Sequence, residues 1–151
     1  MAKDRGSRRK QAKTRVTPTV VKRPLPGPEV PADPNGKMMF RLSLMDDGGR
    51  WSFAALGPRG VELIAKIAKS FESMTLGELL QRPGNKPIPW DRMCPDARKR
   101  ARERELEVFD GLWEFRLGGT ERLWGILQGY CFYVVWWDPD HEVCPSRKRN
   151  T

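Results

Sequence analysis

Three segments decide the fold: LWEFRL at 112–117, RLWGIL at 122–127 and YCFYVVWW at 130–137. Each alternates with a period of two or runs apolar throughout, the pattern of a strand that buries one face or both. Gly118-Gly119-Thr120-Glu121 and Gln128-Gly129 separate them and carry turn chemistry. The region predicts a three-stranded antiparallel meander. A four-residue first loop pairing Leu117 with Arg122, and a two-residue second loop pairing Leu127 with Tyr130, divide the side chains between two faces. Trp113, Phe115, Trp124, Ile126, Cys131, Tyr133 and Val135 then share an apolar face that meets helices. Glu114, Arg116, Leu123, Gly125, Phe132, Val134 and Trp136 share a mixed face that suits shallow binding. Four of the six tryptophans lie in these strands. Packing is the usual role of such rings, and base stacking is the alternative.

Upstream, Met38–Met45 (MMFRLSLM) predicts a first strand. The cluster Asp46-Asp47-Gly48-Gly49 is a hairpin signal, with Trp51-Ser52-Phe53 as a short return strand. Pro58 suits a helix start, and Val61, Ile64, Ala68 and Phe71 recur at helical spacing, so a helix spans about 58–73. Thr75 and Glu78 form a capping box for a short second helix, closed by Pro83-Gly84. Residues 82–93 read as a proline-broken loop around Trp90. A third, highly charged helix covers 97–109, where Arg98, Arg100, Arg102 and Arg104 either line a solvated face or face RNA. The predicted class is α+β: a small antiparallel sheet packed on two or three helices.

The chain has 151 residues and a net charge of +9. Residues 1–37 hold ten of the 28 basic residues, six of the 13 prolines and no aromatic residue. They predict a disordered, basic, Pro-rich tail. Residues 147–151 form a second basic tail, around one domain at 38–146 of nearly balanced charge. Arg5, Arg8, Arg9, Lys10, Lys13, Arg15, Arg147, Lys148 and Arg149 are the candidate polyanion contacts, acting through counterion release. A merely solubilising tail is the other reading.

No stretch reaches the roughly 20 apolar residues of a membrane span. The basic residues are not followed by the apolar core of a secretory signal. Cys94, Cys131 and Cys144 are an odd number without a C-x-x-C pair. This argues against a disulfide framework or a structural zinc site and fits a cytoplasmic protein. No nucleotide-binding glycine motif is present, so no cofactor is expected. Cys144 could act as a thiolate nucleophile only beside a second positioned group. His141, the sole histidine, follows the Asp138-Pro139 turn at a strand end. It is either an acid–base group lining a cleft or a surface residue bonded to Asp138 or Asp140.

The segments Phe109–Arg116, Glu121–Gly125 and Phe132–Trp137 resemble the strands of the RelE/HigB-type toxins. The ending Trp136–His141 also resembles a group of uncharacterised actinobacterial and phage proteins. The toxin resemblance covers about a quarter of the chain. It implies a RelE-like fold and a metal-independent endoribonuclease acting on RNA or the ribosome, neutralised by an antitoxin. It also implies that Arg122 holds the scissile phosphate, that Arg116 supports it, and that His141 supplies the catalytic acid–base group. The family's lysine-rich patch after the third strand is replaced here by Asp138, Asp140 and Glu142. The alternative is a non-enzymatic phage or accessory module, using the basic tail for nucleic acid and the aromatic sheet for a host protein.

Overall fold

The computed structural model describes residues 24–146. Among them, five strands form one sheet and three α-helices cover it, an α+β architecture. The strands are β1 (Met39–Arg41), β2 (Lys86–Pro89), β3 (Gly111–Gly118), β4 (Glu121–Gln128) and β5 (Cys131–Asp138), in the spatial order β1-β5-β4-β3-β2. The helices are α1 (Pro58–Glu72), α2 (Leu76–Gln81) and α3 (Pro95–Glu103). The meander β3-β4-β5 is antiparallel, as is β2 on β3, whereas β1 joins parallel to β5. The sheet is therefore mixed rather than wholly antiparallel.

The helices follow their local signals. Pro58 opens α1, and Thr75 and Glu78 close a reciprocal capping box on α2. The third helix is shorter than its propensity predicts. Glu105 adopts a left-handed backbone with φ 54°, and a 3₁₀ turn at Leu106–Val108 follows. That break points Leu106 into the core. It also brings the Phe109 carbonyl within 2.7 Å of the Trp90 indole N–H, which donates to it.

The strand faces differ from the expected ones. The first hairpin pairs Gly118 with Glu121 and Arg116 with Arg122, so β3 slips by one residue relative to a Leu117–Arg122 pairing. A one-residue slip exchanges the two faces of a strand. Trp113 and Phe115 thus join Leu123, Phe132 and Val134, packed beneath α1 and α2 through Ile67, Phe71, Leu76 and Leu79. Trp124, Ile126, Tyr133 and Trp136 lie on the opposite face, under α3 and its neighbours through Ala97, Ala101, Leu106 and Trp51. A bulge beside Trp124 and Gly125 brings Trp136 onto that side. Both faces are covered, so the shallow aromatic binding face expected from alternation is absent among the described residues. All four meander tryptophans pack against these cores.

Three segments depart from the strand and loop expectations. The first strand is confined to Met39–Arg41, and Trp51-Ser52-Phe53 forms no return strand. Asp46 instead turns inward and is 1% exposed. It accepts from Arg100 Nε at 2.8 Å, Arg100 Nη2 at 2.6 Å, the Trp136 indole at 2.9 Å and the Gly48 backbone at 3.1 Å. Arg100 and Arg104 of the charged stretch are thus committed to Asp46 and Asp47, and Arg102 reaches Glu107. Finally, β2 forms within the expected loop despite Pro87 and Pro89. An edge strand tolerates proline because only alternate residues must donate to the neighbouring strand.

Residues 24–37, assigned to the tail by composition, lie against the sheet. Val30 is buried, the Tyr133 hydroxyl donates to the Pro26 carbonyl at 2.7 Å, and Arg41 donates to the Pro28 carbonyl at 3.2 Å. The tail candidates Arg5, Arg8, Arg9, Lys10, Lys13, Arg15, Arg147, Lys148 and Arg149 lie outside the described residues. No helix among the described residues is long and apolar enough to cross a membrane.

Candidate functional site

The hairpin end of the meander concentrates charge on one face. Glu114 and Arg116 are two residues apart on β3 and so point to the same side. Arg116 pairs across to Arg122 of β4, and Arg122 pairs onward to Asp138 of β5. Four charged side chains therefore meet where the sheet ends, beyond the apolar part of the same face.

Asp138 builds the next layer. It is fully buried, and its carboxylate accepts the backbone N–H groups of Glu142 at 3.0 Å and Val143 at 2.9 Å. Thr120 in the first hairpin donates to the Pro139 carbonyl at 2.6 Å. The Val143 carbonyl accepts from the Cys94 backbone at 2.8 Å. These bonds close a turn in which His141 takes a left-handed conformation, φ 55°. That region is disfavoured for a residue with a Cβ and persists where the surroundings over-determine it.

The turn aims His141 back at the sheet. Its Nε2 lies 2.9 Å from Glu114 Oε1, and the same oxygen accepts from Arg122 Nε at 3.1 Å. Among the described residues no hydrogen bond joins His141 to Asp138, whose carboxylate takes the Glu142 and Val143 N–H groups, or to Asp140. Glu114 is 4% exposed and Arg122 5% exposed. The Arg122 Nη1 group donates to the Gly119 and Glu121 carbonyls at 2.8 and 2.9 Å. Nε and Nη1 of Arg122 are thus occupied by protein, and they tie Glu114 and the hairpin in place.

His141, Glu114, Arg116 and Arg122 all line a cleft of about 720 Å³. Lys86, Asp91, Arg92 and Cys144 complete its ionisable lining among the described residues. Four permanent cations thus face two carboxylates. The near-neutral domain hides a locally positive cleft, because the chain distributes its acids elsewhere. Arg116 is exposed and forms no ion pair among the described residues, so its guanidinium can turn to an anion in the cleft. Cys144 does not fit the thiolate reading. Burial first, and then the charge of Glu114, pushes its thiol above the ordinary value, outweighing the opposing pull of Arg92 and Lys86.

The sequence candidates Arg116, Arg122 and His141 are therefore brought together, within one cleft. Glu114, Lys86 and Arg92 escaped sequence reading. The only local signal for Glu114 was a charged residue inside an otherwise apolar alternation. The sequence places it on the mixed face that suits shallow binding, and the one-residue slip sets that face's β3 residues against other partners, with Glu114 beside His141. Comparison with protein-family models, with curated proteins and with solved structures gives no match to this chain.

Proposed function

We propose that this cleft is an RNA-cleaving site, and that the protein is a RelE-like endoribonuclease acting on RNA or on ribosome-bound RNA. The carrying observation is the His141–Glu114 contact of 2.9 Å at the wall of a cleft that also holds Arg116. A carboxylate beside one ring nitrogen orients the imidazole and leaves the other nitrogen as the working base. Glu114 is positioned for that by Arg122. No hydrogen bond occupies Nδ1 of His141 among the described residues.

In this reading Nδ1 takes the proton of a 2′-hydroxyl, and O2′ forms a bond to the adjacent phosphorus. The bond from phosphorus to O5′ breaks, and the proton passes on to the departing O5′. The products are a 2′,3′-cyclic phosphate and a 5′-hydroxyl. Arg116 carries the charge on the phosphorane oxygens. The roles inferred from resemblance are thus exchanged: Arg116 holds the phosphate and Arg122 is a positioning residue.

The test is cleavage of a labelled single-stranded RNA by the full chain. His141→Gln should lower the rate about 10²-fold or more, and Arg116→Ala should lower it while leaving the fold intact. Wild-type protein that leaves RNA whole, on and off the ribosome, defeats the proposal, as does a fully active His141→Gln. The toxin reading adds growth arrest on expression, relieved by the same substitution. The alternative of a non-enzymatic module docking by its aromatic sheet has little to use, because helices and loops cover both sheet faces.

A further inference from the structure

The edge of the sheet is not uniform. β2 pairs with β3 only from Gly111 to Glu114, so β3 is the outermost strand from Phe115 onward. Arg116 sits on that edge, where the turn before β2 takes over the pairing: its backbone N–H donates to Asn85 Oδ1 at 2.9 Å. There its side chain lines two openings at once. One is the cleft of His141 and Glu114. The other is a groove of about 220 Å³ on the opposite side of the edge, between α1 and the end of α2.

That second groove has a distinct chemistry. Lys66 of α1 and Arg82, just after α2, join Arg116 along it. Both Lys66 and Arg82 are exposed and without an ion pair among the described residues. Its floor is apolar, with Leu63, Ile67 and Leu117, and its one acid is Glu121. A row of cations over an apolar floor fits a polymer of phosphates whose bases can lay their flat faces on that floor. An isolated small anion would use the cations but not the floor.

We propose that Lys66, Arg82 and Arg116 form a second phosphate-binding groove, so that single-stranded RNA crosses the sheet edge at Arg116 and is gripped on both sides. Arg116 is the hinge of this path, touching the nucleotide in the cleft and the next one in the groove. The inference rests on the reading of the cleft as an RNA site and names the strand that reaches it. It requires single-stranded RNA, since the backbone must bend around a strand edge.

The experiment uses the full chain and a labelled 12-nucleotide RNA, with a dinucleotide as the short substrate. A Lys66→Gln/Arg82→Gln double variant should bind the 12-mer about tenfold more weakly. Its plot of log affinity against log salt should flatten by about 1.4, at about 0.7 per lost contact with a single strand. Cleavage of the dinucleotide, which occupies only the cleft, should stay at the wild-type rate. Ser70→Glu, on the exposed rim of the same groove, should weaken 12-mer binding as well.

An unchanged affinity and salt slope overturns the groove, as does an equal loss on both substrates. Weaker binding of polyglutamate with RNA binding intact overturns it too, in favour of an acidic protein partner. The two readings fail separately. Binding that weakens in a protein that cuts no RNA keeps the groove and removes the ribonuclease. Cleavage that depends on His141, with binding indifferent to Lys66 and Arg82, does the reverse.

Discussion

Asp46→Asn should cost this protein about 3 kcal/mol of stability at neutral pH, because four hydrogen bonds converge on the carboxylate it replaces. The carboxylate is 1% exposed and accepts from Arg100 twice, from Trp136 and from Gly48. An asparagine offers one acceptor oxygen and an NH₂ group. Whichever way it turns, one set of donors faces another donor. Breaking a buried ion pair costs about 3–5 kcal/mol. Arg100 is 25% exposed, so water screens part of that loss and the lower end applies. For a domain of this size about 3 kcal/mol lowers the melting temperature by about 10 °C.

The pH dependence gives a second handle on the same residue. Burial raises the Asp46 carboxyl, but the bonds from Arg100, Trp136 and Gly48 outweigh it and hold the group below the ordinary carboxylate value. A group depressed in the folded state contributes stability above its unfolded pKa and loses it as pH falls through the folded one. The gap between wild type and Asp46→Asn should therefore be full at pH 7 and shrink as the pH drops below the ordinary carboxylate range. Urea unfolding followed by tryptophan fluorescence reads both effects. A loss under about 1 kcal/mol at pH 7, or a gap that does not narrow in acid, refutes the account.

Glu114→Leu should be more damaging than the double change Glu114→Leu/Arg122→Met, because the single change strands a buried guanidinium. Chemical denaturation of the three proteins checks the order. Gly125→Ala should destabilise by about 1–3 kcal/mol, since a Cβ there overlaps the Tyr133 carbonyl oxygen and crowds the Phe132 ring; a melting curve reads it. Tyr133→Phe should cost about 1 kcal/mol and loosen residues 24–31, seen as faster proteolysis in that segment. Cys144 should alkylate more slowly than a free thiol at pH 7.5 and gain reactivity as pH rises, because its thiol is held above the ordinary value.

Much of the fold was legible in the residues. The meander, α1, α2 and the start of α3 each carry local signals that the structure obeys, because period, caps and turn residues act over a few neighbours. The failures share one cause. The loop length at Gly118–Glu121 decides the register of β3, and both a four-residue and a two-residue loop suit those residues. Glu105 breaks α3 where propensity favours its continuation, because Leu106 gains burial. Asp46 reads as a turn residue and becomes the partner of Arg100, 54 positions away. The candidate site was half legible. His141 and the two arginines stand out by type and position, while Glu114, Lys86 and Arg92 are ordinary residues until the fold gathers them.

By itself the sequence determined an α+β class, the meander at its centre, the first two helices and a basic character concentrated toward the chain ends. These follow from composition and from short-range periodicity. Only the tertiary structure decided that both sheet faces are buried, that residues 24–37 belong to the folded body, and that Glu114 lies beneath His141. It also decided that a nearly neutral domain opens a positive cleft. The physical reason is that register, burial and charge clustering depend on contacts between residues far apart in the chain. Such contacts are chosen by the free energy of the whole packed arrangement, and no window of neighbours contains it.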